Sequence, residues 1–308
     1  MWFRFLSMAM AMLGALELQA QARTTQEGGR LSIALTFDDL PVHSALPAGE
    51  TRVAVVDAII AALKDAHTPP VFGFVNAGFG MREPGSMTAL EHWHAAGFPL
   101  GNHGWSHMSL NRNSADLFID DVRRNEPALR AAMGGQDWHW LRYPYLAEGD
   151  TPQKRDAARA FLKQAGYRIA AVTMSFDDYI WNEPYARCLA ERDVESIAML
   201  EQSYLDAARA ETARARAMAH MVAGRDIPYV LLMHAGAFDA RMLPRLIAQY
   251  RAEGFDFVTL EQAQRDPFYR GAMDLTMPGP SPSLERAVKA AGLTAPVKRL
   301  PDFATLCK

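Results

Sequence analysis

Cysteine is scarce in this chain, which has two among 308 residues, Cys188 and Cys307. Only one intramolecular bridge can form from them, and two free thiols are the alternative, because nothing local constrains residues so far apart. Charge of one sign is also missing. The chain has 32 Lys and Arg against 35 Asp and Glu, a formal net charge of -3. That leaves no electrostatic footprint for nucleic acid or an anionic membrane surface. Past the first two dozen residues, no run of eighteen apolar residues occurs, so the mature chain is not expected to insert stably into a bilayer. What is present is a hydrophobic content of 49% and a charged content of 22%, the profile of a folded protein. The length suits one large α/β domain or two small ones.

The N-terminus reads as an export signal. Arg4 supplies a positive start, and Phe5 to Leu18 are mostly apolar but too short to span a bilayer comfortably. Ala20-Gln21-Ala22 fits the small-x-small cleavage rule, which predicts a signal peptide over residues 1–22 and an exported protein, periplasmic or extracellular. An uncleaved anchor is the other reading.

From residue 31 onward, apolar stretches of strand length alternate with helix-period segments. Strands are expected over residues 31–37, 71–75, 98–102, 138–145, 167–173, 229–233 and 255–260. Helices are expected over 51–66, 88–96, 115–133, 152–165 and 241–253, with Pro127 a kink or break in the third. This alternation predicts a parallel sheet with right-handed crossovers. Seven units suit a distorted (β/α) barrel, with a doubly wound open sheet as the alternative. The Ala-rich segment 183–226 reads as one or two helices packed outside the barrel, which itself covers residues 23–270. Residues 271–308 lose the pattern around Pro278, Pro280 and Pro282, and read as a tail lying on the barrel with a short helix near 283–291.

The polar residues cluster at the ends of predicted strands. Leu35-Thr36-Phe37-Asp38-Asp39 ends the first in paired carboxylates. Asn102-His103-Gly104-Trp105-Ser106-His107 follows the third and places two histidines four apart. Asp39, His103 and His107 could hold a metal through three protein ligands, leaving a coordination position open, as catalytic sites do. Asp38 remains as a candidate general base. Leu141-Arg142-Tyr143-Pro144-Tyr145, Met174-Ser175-Phe176-Asp177-Asp178-Tyr179 and Leu231-Leu232-Met233-His234 end the fourth to sixth strands. The C-terminal ends of barrel strands are where barrel active sites are built.

These five motifs, in this order, resemble the polysaccharide deacetylase family, the NodB-homology domain or carbohydrate esterase family 4, over roughly residues 31–262. The resemblance implies an N-deacetylase acting on a carbohydrate polymer or oligomer such as peptidoglycan or a chitin-like chain. It implies Asp38 as base and Asp39, His103 and His107 as ligands of a divalent ion, most often zinc, with cobalt or another ion possible. It implies Arg142 as the residue orienting the base and His234 as the acid. The Tyr145 backbone N–H would meet the oxyanion beside Pro144, and Leu232 would line the acetyl pocket. Trp105 and Tyr179, with Phe79, Tyr143 and Trp181, are candidate aromatic walls. The chemistry is consistent with these roles, since amide hydrolysis needs activated water, a stabilised oxyanion and a proton for the departing nitrogen.

Four departures from the family pattern stand out. Leu40-Pro41 replaces Gly-Pro, Gly104 replaces a hydroxyl residue, Ser175 stands where an acid is usual, and Tyr179 where Trp is usual. Asp177 or Asp178 could take over the missing acid's partnership with His234. An O-deacetylase, a hydrolase of a small cyclic amide and a non-catalytic carbohydrate-binding barrel are the competing readings.

Overall fold

The computed structural model describes residues 31–83 and 85–308; the expected signal peptide lies outside them. Strand β1, Leu31–Leu40, is buried along nearly its whole length, as expected of a central parallel strand covered on both faces. It pairs with β2 (Phe72–Val75) and with β6 (Tyr229–His234), while β7 (Phe255–Phe257) joins its N-terminal end. The sheet continues from β2 through β3 (Leu100–Asn102) and β4 (Trp140–Leu141) to β5 (Arg168–Ile169), every pair parallel. A parallel bridge between Met174 and Leu231 ties the segment after β5 back to β6. The sheet therefore curls onto itself as a distorted barrel, which sets aside the open doubly wound alternative.

Helices α1 (Arg52–Asp65), α2 (Thr88–Ala95), α3 (Ala115–Met133) and α4 (Pro152–Gln164) follow β1 to β4. Thr51, Ser114 and Thr151 cap three of them, each accepting a backbone N–H in the first turn. The insertion forms two helices, α5 (Asn182–Glu191) and α6 (Val194–Ala223). After β6 comes α7 (Ala237–Ala252), and α8 (Leu284–Ala290) lies in the tail.

Several expectations need correction. Pro127 does not break α3, which runs through it. The face carrying Phe118, Val122, Leu129 and Met133 is buried, and that packing outweighs the one hydrogen bond proline removes. β1 extends three residues past Phe37, because Leu40 is buried against the side of Gly73 and pairs with Val75. β4 and β5 are only two residues each. Pro144 starts a 3-10 turn over Pro144–Leu146, and the chain beyond β5 loses its ladder until Met174. α7 starts at Ala237, since the Asn182 side chain accepts the Phe238 N–H at its first turn.

The tail packs on the barrel through specific polar contacts. Arg159 of α4 donates to the carbonyls of Gly271 and Met277. Ser281 and Arg286 hold the buried Glu148 of the loop after β4. Cys188 of α5 and Cys307 are joined in a disulfide that spans 119 residues, with a Cα–Cα distance of 4.9 Å. In the chain-entropy picture, closing so long a loop contributes up to about 4–5 kcal/mol. Replacing both cysteines by serine is expected to shift the urea midpoint to lower concentration and to steepen the slope, because the denatured chain without its cross-link exposes more surface. An unchanged midpoint would show that packing alone holds the tail.

Candidate active site

A cavity of about 620 Å³ opens at the C-terminal ends of the strands, lined by Asp38, Asp39, His103, His107, Tyr145, Tyr179, Leu232 and His234 among others. Strand register brings the two candidate catalytic groups together, because Asp38 on β1 lies opposite His234 on β6. Asp39, inside β1 where its register with β2 shifts, has a positive φ of 68°. His107, Tyr145 and Asp177 also adopt positive φ, near 57–58°. Such conformations cost energy for non-glycine residues, and they collect where a site must be shaped.

Asp38 is buried and held by Arg142, whose Nη1 donates to Oδ1 at 3.0 Å and Oδ2 at 3.2 Å. Arg142 is itself buried and fixed on every side. Its Nε donates to the Ala170 carbonyl at 2.7 Å, its Nη2 to Thr36 Oγ1 at 3.0 Å, and its guanidinium stacks over Phe74. Burial pushes the Asp38 carboxyl above its ordinary pKa, although the Arg142 charge opposes this.

Asp39 Oδ1 lies 3.6 Å from His103 Nε2, 3.5 Å from His107 Nε2 and 3.3 Å from His43 Nδ1. It is buried yet has no hydrogen-bond partner among the described residues. His103 Nδ1 donates to the Arg142 carbonyl at 2.7 Å, so its Nε2 carries a free lone pair facing Asp39. Burial lowers the pKa of His103 to about 3 and that of His107 to about 4. Both are therefore neutral imidazoles, the form that binds metal. Burial works against ionisation of Asp39, but the neighbouring His43, with the charges of His234 and His103, holds its carboxyl well below the usual range. The donor atoms of Asp39, His103 and His107 all lie within 4.8 Å of one another. An orphaned carboxylate oxygen beside two neutral imidazoles fits a divalent cation.

His234 is anchored by Asp178, which accepts from its backbone N–H at 2.6 Å and bonds its Nδ1 at 2.9 Å, leaving Nε2 as the ring nitrogen without that partner. Burial disfavours the imidazolium, but the charge and hydrogen bond of Asp178 outweigh it and raise the pKa to about 10. Asp178, and not Asp177, takes the place of the acid absent at Ser175. Asp177 instead pairs with Lys298 of the tail.

The remaining candidates divide. The exposed ring of Tyr145 lies 4.4 Å from that of His107, the exposed Tyr179 ring stands edge-on to His234 at 5.1 Å, and Leu232 forms part of the floor. Trp105 does not line the cavity. It packs against Gly78 under the Arg124 guanidinium, with its backbone N–H donating to the Asp121 carbonyl and the next residue, Ser106, donating to the Asp121 carboxylate. Asp121 also supplies the loop bracing missing at Gly104, whose positive φ and closeness to Asp121 leave no room for a side chain. Pro144 is buried beside the lining and Trp181 belongs to the core; Phe79 stacks under His43. Sequence reading overlooked His43, Asn182 and Glu183, all of which line the cavity. His43 sits four residues after Asp39, a spacing that could have flagged it, whereas no local pattern marks Asn182 or Glu183.

Comparison with known proteins follows the same lines. The polysaccharide deacetylase family model matches residues 25–170. Among solved structures, a chitin deacetylase from the fungal pathogen Colletotrichum lindemuthianum shares 20% identity, with 75% of this chain and 86% of that one covered at a TM-score of 0.53. The peptidoglycan deacetylase PdaC from Bacillus subtilis shares 20%, covering 78% and 92%, at 0.50. A CE4 family pseudoenzyme from Bacillus anthracis shares 14%, covering 77% and 66%, at 0.53. No curated protein matches the sequence.

Proposed function

From a chain that belongs to the polysaccharide deacetylase family through residues 25–170, we propose an exported, metal-dependent hydrolase that removes N-acetyl groups from a carbohydrate polymer or oligomer, peptidoglycan or chitin-like. One observation carries the reading. A carboxylate gripped by a buried arginine, Asp38 with Arg142, lies opposite an imidazole gripped by a buried carboxylate, His234 with Asp178, beside the Asp39–His103–His107 cluster. A carbohydrate-binding barrel would have no use for two separately tuned proton-transfer groups.

Asp39, His103 and His107 would hold the ion, zinc by their donor types, with cobalt the next choice. When bound, it supplies Lewis acidity toward the acyl oxygen and acidifies water. Arg142 fixes the Asp38 carboxylate to receive a proton from the attacking water. His234, protonated on Nε2, delivers a proton to the departing nitrogen. The Tyr145 N–H faces the developing oxyanion, a contact of about 3 kcal/mol in comparable sites. Leu232 receives the acetyl methyl, and Tyr145 and Tyr179 flank the sugar.

The Cys188–Cys307 disulfide supports export, since such bonds persist in oxidising compartments. Among the described residues, no helix is long and apolar enough to cross a membrane. The deciding assay is acetate release from N-acetylglucosamine oligomers, peptidoglycan and acetylxylan, with and without chelator. Release from the N-acetylated substrates, abolished by chelator and restored by zinc, is expected; release from acetylxylan alone would favour O-deacetylation, and no release the binding module.

His107→Ala is expected to lose most bound zinc while keeping its fold, because the ring lies at the cavity rim and not in the core. Metal content measured on purified protein checks this, and wild-type content no higher than the variant's would sink the assignment.

A further inference from the structure

The segment from Ala291 to the C-terminus contains no helix or strand, yet it is held at four points. Lys298 Nζ donates to the Ser175 carbonyl at 2.7 Å and pairs with Asp177 Oδ2 at 2.6 Å. The Phe303 ring packs edge-on against Trp181 at 5.5 Å. Arg187 donates to the carbonyls of Phe303 and Leu306. Cys307 is bonded to Cys188. All four anchors meet one stretch of chain, Ser175 to Cys188. That stretch carries Asp178, the partner of His234, and also Tyr179, Asn182 and Glu183 of the cavity wall.

The start of this stretch, Ser175 to Asp177, lies outside both helix and strand, and Asp177 adopts a positive φ of 58° immediately before Asp178. The isolated bridge at Met174 is the last sheet pairing before it. Lys298 clamps both sides of this turn at once, through a carbonyl before it and a carboxylate within it.

We propose that the C-terminal segment is a strap that sets the position of the active-site wall, with Lys298 as its positioning residue. Lys298 touches no reacting group; it acts by fixing Ser175 and Asp177, and through them the Asp178 carboxylate that orients His234. This rests on the deacetylase reading for its effect on rate, but not for its effect on the wall.

The test uses the full chain with Lys298→Met and the conservative Lys298→Arg. Two quantities are measured: acetate release, and amide hydrogen exchange in residues 175–182. In Lys298→Met, kcat is expected to fall about tenfold or more, with a smaller change in KM, because a misplaced supporting group costs rate before binding. Exchange in 175–182 should quicken by about tenfold while the barrel strands keep their protection. Lys298→Arg should restore both. If Lys298→Met folds poorly, reduction of Cys188–Cys307 in the wild type should quicken exchange in the same residues. Wild-type exchange in Lys298→Met, or an arginine variant as impaired as the methionine one, overturns the strap. A wild type that releases no acetate would instead overturn the deacetylase reading, and the exchange measurements would still decide the strap.

Discussion

Asp38→Asn is expected to lower the rate of acetate release by at least ~100-fold, the usual scale for losing a general base, while metal content stays at the wild-type level. Asparagine keeps the size of the side chain and an oxygen for Arg142 Nη1, which donates to Asp38 at 3.0 Å. It cannot take a proton from water. The second half of the expectation separates roles, because the clustered metal donors come from Asp39, His103 and His107 and not from Asp38. One complication is electrostatic. The substitution leaves Arg142 buried without a counter-charge, which costs stability, so thermal unfolding must be followed alongside. A folded Asp38→Asn protein with near-normal turnover would remove Asp38 from the mechanism, and one that loses its metal would move it into the ligand set.

Asp178→Asn should move the alkaline limb of the pH–rate profile to lower pH by roughly 2–3 units, the scale of losing an opposite charge at hydrogen-bond distance. Burial alone would lower the His234 pKa, and the Asp178 carboxylate is the largest influence raising it to about 10. An acid must be protonated to act, so wild-type activity should persist until the pH approaches that value. In the variant, only the charges of Asp39 and Asp38 still oppose burial, and the imidazole loses its proton nearer neutrality. The same shift has a stability counterpart. Because the folded pKa lies above that of the unfolded chain, the pair's contribution is fully present below about pH 6.5 and is lost as the pH rises through about 10. kcat/KM measured across pH 5–11 in both proteins checks the first claim. Coincident alkaline limbs would mean that His234 is not the acid, or that Asp178 does not tune it.

The sequence by itself determined the plan of strands alternating with helices, and the five motifs at strand ends. Both rest on local signals: apolar runs of strand length, helical periodicity, and polar residues placed where a strand stops. Asp38 and Asp39 were legible because an apolar strand ends on them, and His103 and His107 because two imidazoles four apart are uncommon. Tertiary structure decided the rest. That Asp178 and not Asp177 holds His234 depends on the positive φ at Asp177, which no pattern announces. Trp105 was expected in the site, but it packs against Gly78 instead, with its backbone N–H held by the Asp121 carbonyl from a helix later in the chain. β4 and β5 were read too long, because Pro144 and the barrel's irregular closure cut pairing short in ways that hydrophobicity does not record. The bond between Cys188 and Cys307, and the clamp of Lys298 on the cavity wall, join residues more than a hundred positions apart. Contacts of that range follow from how helices pack around a curled sheet, and they leave no mark on the local sequence.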